Sequence, residues 1–314
     1  MDIRKLQSEA LSLRLLRRLH PDVDSAQLYA AAARVASTAR QAVQFVGGLE
    51  NIRIELAPLL RYYEWLHWLK VLLYLFDLQF PRSTAVLQHG LSVRRQKRQG
   101  YRWPLEAITV HRDGVLQECV RILQPEESFE NRLIVGDLLG SLPGMTSVLR
   151  EFYKPFQHAY ELKASESPDW RLVDREIAAN HSLTVDEWLT GYQAGPVIPP
   201  STPRPKADPP GLLYVPAPRR EHPLRREFLR RTFLLDKPRH RDWLAHYAIL
   251  YSLSALCRYN PVEWSDIVLW QNEVDALLVR EYLALPEMRI EIVEDLLTEG
   301  PAKAVMFGYR DAPA

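Results

Sequence analysis

Residues 58–76 constrain the fold more than any other segment of the chain. Drawn as a helix, this segment is apolar around most of its circumference, with two tryptophans and seven leucines. Such a helix is stable only when other helices enclose it. Arg61, Glu64, His67 and Lys70 interrupt the segment, and charges at that density argue against a membrane span. We therefore predict a helical bundle with residues 58–76 at its centre.

Helical spacing of apolar residues recurs on both sides of this segment. It predicts one helix over residues 6–19 and another that begins near Asp24 or Ser25 and ends at Gly47-Gly48. Four more helices are predicted towards the C-terminus, over residues 225–235, 243–259, 262–283 and 288–297, with prolines 238, 261 and 286 between them. The simplest assembly packs these C-terminal helices against residues 58–76.

The middle of the chain has a different character. Residues 108–110 and 115–116 flank His111-Arg112-Asp113-Gly114, which predicts a β-hairpin with Asp-Gly in its turn. Short helices or strands are predicted over residues 133–139, 145–153 and 185–192. Nine of the 23 prolines fall between residues 196 and 218, which excludes helix and predicts an extended connector. The predicted domains are thus a core of residues 1–90 with 219–314, a mixed α/β insertion of residues 91–194, and a connector of residues 195–218.

The overall charge of +1 conceals strong local differences. Residues 94–102 carry a net +5, residues 219–241 carry +6, and residues 259–314 carry −7. The two cysteines, Cys119 and Cys257, are far apart and belong to no metal-binding motif, so no disulfide framework or zinc site is predicted. The N-terminus lacks the apolar stretch of a secretory signal. These features predict a cytoplasmic protein with no bound metal and no cofactor.

The loop from residue 88 to residue 103 is the first candidate for function. It combines cations, two glycines and two aromatic residues, a composition suited to binding an anion or phosphate beside a planar group. Alternatively, its charges pair with the acidic C-terminal helices. The candidate phosphate-binding residues are His89, Arg94, Arg95, Lys97, Arg98 and Arg102.

Arg241 and His246, near the start of a predicted helix, form the second candidate. In a ribonuclease the histidine would move a proton and the arginine would stabilise the phosphorane charge. The alternative is that His246 belongs to the core. Spacing by three residues within the buried helix relates Arg61, Glu64, His67 and Lys70, which could pair with one another or could reach towards the basic loop as the wall of a pocket. Buried ionisable groups need partners, so we expect Glu64 to contact an arginine and Trp65 and Trp68 to be core residues.

Several segments taken in order resemble the YaaC-like family of bacterial proteins. They include Leu59-Leu60-Arg61-Tyr62-Tyr63 with Lys70, residues 83–99 with their His-Gly and basic loop, His111-Arg112-Asp113-Gly114-Val115-Leu116, and residues 246–264 with Cys257-Arg258-Tyr259. The resemblance implies a mainly α, HEPN-like helical bundle interrupted by the small mixed insertion. It also matches His246 and the pocket candidate Arg258 to the family's C-terminal helix, and it implies an association with purine-nucleotide synthesis, notably with IMP dehydrogenase.

Three functions follow as hypotheses. The first is a non-enzymatic binding protein that engages a nucleotide, an RNA phosphate or an acidic protein surface through the basic loop. The second is a metal-independent HEPN-type ribonuclease that uses Arg241 and His246. The third is a regulatory partner of a purine-synthesis enzyme. The sequence contains no GxGxxG, GxxxxGK[ST], GxSxG or HExxH motif, which favours binding over catalysis.

Overall fold

A computed structural model describes residues 2–48, 52–93, 101–123, 130–175, 201–217, 225–235, 242–270 and 274–285. The chain divides into two compact units, one of Met1–Val135 with Trp243–Ala314 and the other of Gly136–Asp242. The described part is mainly helical and contains two small antiparallel sheets. Its α-helices are α1 Glu9–Leu19, α2 Ser25–Gly47, α3 Ala57–Phe76, α4 Val115–Leu123, α5 Val135–Ser141, α6 Thr146–Phe152, α7 Asp242–Tyr259, α8 Pro261–Ser265 and α9 Val274–Ala284.

The strands form a three-stranded sheet in the first unit and a five-stranded sheet in the second. The smaller sheet has the order β1-β2-β3, and the larger one has the order β6-β5-β4-β8-β7. A 3-10 helix, Ile3–Gln7, precedes α1, and a π-helix, Asp266–Trp270, follows α8. The strands are β1 Leu91–Val93, β2 Ala107–Val110, β3 Arg132–Ile134, β4 Ala159–Ala164, β5 Trp170–Asp174, β6 Leu212–Pro216, β7 Arg225–Phe228 and β8 Arg231–Leu235.

Helix α3 lies in the core of the first unit, as the sequence predicts. Trp65 and Trp68 are almost fully buried, which confirms that they are core residues. Helix α2 packs along α3 and buries a row of small side chains, including Ala32, Ala36 and Ala39, so the two backbones approach closely. Asp24 caps α2 by accepting a hydrogen bond from the backbone N–H of Ala26 at 2.9 Å.

Helix α7 packs against α3 from the far end of the sequence, which confirms the predicted assembly for this helix. Its residues from Trp243 to Leu256 are all buried, so it is enclosed on every side. Tyr62 of α3 contacts Tyr247, and Trp65 contacts His246. Trp65 comes after Tyr62 along α3, whereas its partner His246 comes before Tyr247 along α7. The two helices therefore run antiparallel.

The predicted hairpin over residues 108–116 is wrong in its second half. Strand β2 forms, but it pairs with β1 and β3, and Val115 begins helix α4. The residues from Val115 to Leu123 bury one helical face, made of Val115, Leu116, Cys119, Val120 and Leu123. Burial of this face against the helical core outweighs the turn preference of Asp-Gly.

The helix predicted over residues 225–235 is also wrong, because β7 and β8 form a β-hairpin there. Its two turn residues, Leu229 and Arg230, have φ angles of 47° and 63°. The helix predicted over residues 262–283 is divided into α8, the π-helix and α9. The predicted elements at 185–192 and 288–297 lie outside the described residues. Of the predicted connector, residues 201–217 are described; they contain β6, which pairs with β5, and no helix.

Candidate functional site

The side chain of His89 is held by three tyrosines in the first unit. The hydroxyl of Tyr62 on α3 lies 2.6 Å from Nδ1 of His89, and the hydroxyl of Tyr247 on α7 donates to the His89 carbonyl at 2.9 Å. The ring of Tyr251 packs beside the imidazole with 5.6 Å between ring centroids. Both the ring and the backbone of His89 are therefore fixed against the two central helices.

Two glycines explain why the chain places His89 there. Gly90 has a φ of 81°, a conformation that favours glycine. A Cβ atom at Gly114 would lie 2.3 Å from the Cα of Gly90, so the two segments cross with their backbones almost in contact. The N–H of His111 donates to the carbonyl of Gly90, and that of Val115 to the carbonyl of Gln88. Gly114, predicted as a hairpin residue, instead locks the loop that carries His89.

Lys70 of α3 and Arg258 of α7 lie close to this histidine. Burial, together with the positive charges of Arg258 and Lys70, lowers the pKa of His89 to about 4. The pKa of Tyr62 is raised well above its ordinary value, mainly by burial. Both groups are therefore neutral near neutral pH, and Tyr62 joins Nδ1 of His89 to the hydroxyl of Tyr247, 3.2 Å away, in one hydrogen-bonded chain.

Neither of these two cations forms an ion pair with a carboxylate within the described ranges. The guanidinium of Arg258 donates to Ser254 through Nε at 3.1 Å and stacks 4.8 Å from the ring of Tyr259. Lys70 is half-buried, and burial lowers its pKa. A positive charge that is partly withdrawn from water and lacks an acidic neighbour attracts an anion.

Other predicted pocket residues are paired elsewhere. Arg61 binds Glu64 at 2.8 Å, which confirms that this carboxylate contacts an arginine. Burial raises the pKa of Glu64, and the guanidinium of Arg61 offsets only part of that effect. His67 donates from Nδ1 to the carbonyl of Tyr63 at 2.7 Å, and burial lowers its pKa.

The predicted basic loop is described only at its ends, His89 and Arg102. Arg102 lies 3.7 Å from the buried carboxylate of Asp275 on α9, which also accepts the N–H of Trp103 at 2.7 Å. One loop cation therefore meets the acidic C-terminal part of the chain, as the alternative interpretation of the loop expects. The remaining predicted loop cations, Arg94, Arg95, Lys97 and Arg98, lie outside the described residues.

His246 is completely buried in the core. Its Nδ1 lies 3.2 Å from the hydroxyl of Tyr282, and its ring packs between Trp65 and Tyr282. Its Nε2 has no hydrogen-bond partner among the described residues, and burial lowers its pKa to about 3. Arg241, its predicted catalytic partner, lies outside the described residues.

The tyrosines are the site residues that sequence reasoning missed. Tyr247, Tyr251 and Arg258 are separated by four and seven residues, so they share one face of α7. That spacing was a usable signal. Tyr62 lies in the helix whose Trp65 and Trp68 are predicted as core residues, and it is fully buried.

The described residues contain no group of three or more His, Cys, Asp or Glu side chains placed to hold a metal ion. Cys119 and Cys257 are both free thiols. None of the described helices is long and apolar enough to cross a membrane.

Fold and site together define a mainly helical protein with two cations close to a half-buried histidine. Neither cation forms an ion pair with a carboxylate in the described ranges. The chain belongs to the YaaC-like protein family, whose model matches residues 4–291. No curated protein and no solved structure matches the chain.

Proposed function

We propose that this protein binds the phosphate group of a nucleotide or of RNA at the site formed by Lys70, His89 and Arg258. The observation that carries the proposal is the approach of two half-buried cations to one histidine with no carboxylate to neutralise them within the described ranges. A phosphate would supply the missing negative charge and accept several hydrogen bonds at once.

Donors without acceptors support an anionic ligand. Within the described ranges, neither Nε2 of His89 nor the hydroxyl of Tyr251 makes a hydrogen bond. Together with the ammonium of Lys70 and the guanidinium of Arg258, the Tyr251 hydroxyl provides three donor groups of different geometry beside the imidazole. Donors of this kind are the usual partners of phosphate oxygens.

Aromatic rings support a ligand that also carries a base. The half-buried imidazole of His89 lies beside Tyr251 with 5.6 Å between ring centroids. Bases bind to proteins by stacking on such rings. The predicted loop cations follow β1 directly in the sequence and would add affinity for a polyphosphate or for a longer RNA.

The electrostatics of the site favour binding over catalysis. A general acid or base works best with a pKa near the working pH, whereas the pKa of His89 is about 4 and that of Tyr62 is raised well above 10. Neither group exchanges a proton readily near neutral pH. We therefore propose that this protein binds its ligand without catalysing a reaction. We also propose that its helical bundle is related to those of HEPN-like proteins.

The ribonuclease hypothesis needs His246 to reach an RNA phosphate, and His246 is fully buried. We expect purified protein to leave RNA intact in the presence of a metal chelator. Cleavage that is lost in a His246→Ala variant would replace the binding proposal by the catalytic one.

Calorimetric titration with GTP, IMP and a short single-stranded RNA at low salt tests the proposal. Lys70→Met and Arg258→Met keep most of the side-chain length and remove the charge, and each should weaken binding by about tenfold. Arg14→Met removes the same charge from an exposed position on α1 and should leave the affinity within about twofold. Equal affinity in all three variants, or no binding of any phosphate compound, would overturn the proposal.

A further inference from the structure

A cavity of about 580 Å³ lies within the second unit. Its floor is one face of the five-stranded sheet, to which β4 contributes Glu161 and Lys163 and β8 contributes Arg231 and Phe233. Alternate residues of a strand share a face, so Leu162 points away, into the hydrophobic cluster of this unit. The cavity has the size of a small-molecule site, and no residue of the proposed phosphate site lines it.

The lining of the cavity also includes an amide that lacks a partner in the described part of the chain. Gln157 lines the cavity and is only 5% exposed, and its Nε2 has no hydrogen-bond partner in the described part of the chain. A buried amide without a partner destabilises the fold unless something binds it. Because the two ends of a glutamine amide interchange by a simple rotation, Gln157 can offer a ligand either a donor or an acceptor.

One of the cations around the cavity forms no ion pair within the described ranges. Arg150 pairs with Asp174 at 2.8 Å, and Arg231 lies 3.5 Å from Glu161. Lys163 forms no ion pair within the described ranges. The lining therefore carries two matched pairs and one unmatched positive charge, which favours a ligand with a single negative charge.

The remaining lining defines the other end of the ligand. Phe228 and Phe233 lie at the cavity with 6.5 Å between ring centroids. Flat, apolar groups pack well against such rings. A ligand that meets all three features carries an anionic group, a hydrogen-bonding group and an aromatic or other apolar body.

We propose that this cavity binds a small aromatic carboxylate, with the carboxylate at Lys163, a polar group at Gln157 and the ring against Phe228 and Phe233. The proposal is independent of phosphate binding in the first unit, because it uses other residues and another charge. Failure of either proposal leaves the other standing.

The test is a saturation-transfer NMR titration of the full chain with benzoate, nicotinate and indole-3-carboxylate, each compared with its neutral primary amide. We expect at least one carboxylate to bind at millimolar concentration, and to bind about tenfold more tightly than its amide. Binding of no carboxylate, or equal binding of acid and amide throughout, would overturn the proposal.

Three variants locate the site. Lys163→Met should remove the preference for the acid over the amide, and Gln157→Leu should weaken both ligands without unfolding the protein, since a leucine there leaves no polar group unpaired. Lys206→Met changes an exposed lysine that does not line the cavity, and it should bind like the wild type. Wild-type affinity in both Lys163→Met and Gln157→Leu would contradict the assignment. Circular dichroism verifies that each variant is folded.

Discussion

The buried imidazole of His246 should make the first unit sensitive to acid. Its ring stacks on Tyr282 with 5.7 Å between centroids and lies entirely out of water. In the unfolded chain the same imidazole has a pKa near 6.5, whereas in the folded protein it is about 3. As the pH falls below about 6.5, the imidazole becomes protonated in the unfolded state but stays neutral in the folded state, so stability is lost.

The size of this loss follows from the two pKa values. Each pKa unit corresponds to about 1.36 kcal/mol. Between about pH 7.5 and about pH 4.5 only the unfolded state gains the proton, so His246 should lower the free energy of unfolding by about 2.5 kcal/mol. The stability that the neutral imidazole contributes is fully present at neutral pH and is lost progressively as the pH falls below about 6.5.

A His246→Phe variant isolates the contribution of this residue. Phenylalanine keeps an aromatic ring between Trp65 and Tyr282 and cannot be protonated. Urea denaturation followed by circular dichroism at the two pH values measures the free energy of unfolding of both proteins. The wild type should lose about 2.5 kcal/mol more than the variant on acidification, since the other titrating groups cancel in the comparison.

An exposed histidine provides the control. A His111→Gln variant should alter the pH dependence by less than about 0.5 kcal/mol. If the wild type and His246→Phe lost the same stability between the two pH values, His246 would have to accept a proton in the folded state, and the reasoning from its burial would be refuted.

Three further predictions concern other parts of the structure. Arg61→Met leaves the buried carboxylate of Glu64 unpaired and should lower the free energy of unfolding, measured by urea denaturation, by about 2 kcal/mol. Adding Glu64→Gln should restore most of the lost stability. No restoration would contradict the pairing. Replacing Leu229-Arg230 by Asn-Gly suits the left-handed φ angles at these two positions. The change should stabilise the protein by about 1 kcal/mol in urea denaturation. No gain in stability would argue against this turn. The pKa of His89, followed by NMR, should rise from about 4 when phosphate binds, because the phosphate charge offsets the positive charges of its neighbours. Phosphate binding should therefore tighten as the pH falls from about 6 to about 4. An unchanged pKa would place the anion elsewhere.

The helical part of the fold was predictable because its signals are local. Helices α2, α3 and α7 have long runs with helical spacing; Asp24 caps α2, and Pro58 lies in the first turn of α3. The β7–β8 hairpin was missed because its turn is Leu-Arg, which carries no glycine or asparagine signal. Helix α4 was missed because Asp-Gly before it indicated a turn, although Val115, Cys119 and Leu123 already had helical spacing.

The candidate site was predictable only in part, since its chemistry depends on distant residues. His89 and Arg258 were identified from the sequence, and so was Lys70. No local pattern shows that Tyr62 and Tyr247, which are far apart in sequence, share His89 as a partner. Nor does any local pattern show that Arg102 meets Asp275, which is supplied by a helix near the far end of the described chain.

The placement of α7 has a consequence for how the protein is made. Helix α3 emerges from the ribosome early, but α7, which covers it, follows only after the second unit of about a hundred residues. At about 5–20 residues per second, synthesis of the chain between Phe76 and Asp242 takes about 8–33 s. During it, the most apolar of the described helices is covered by α2 but not yet by α7. The nascent chain should therefore depend on a chaperone at that stage more than a protein whose core helices are consecutive.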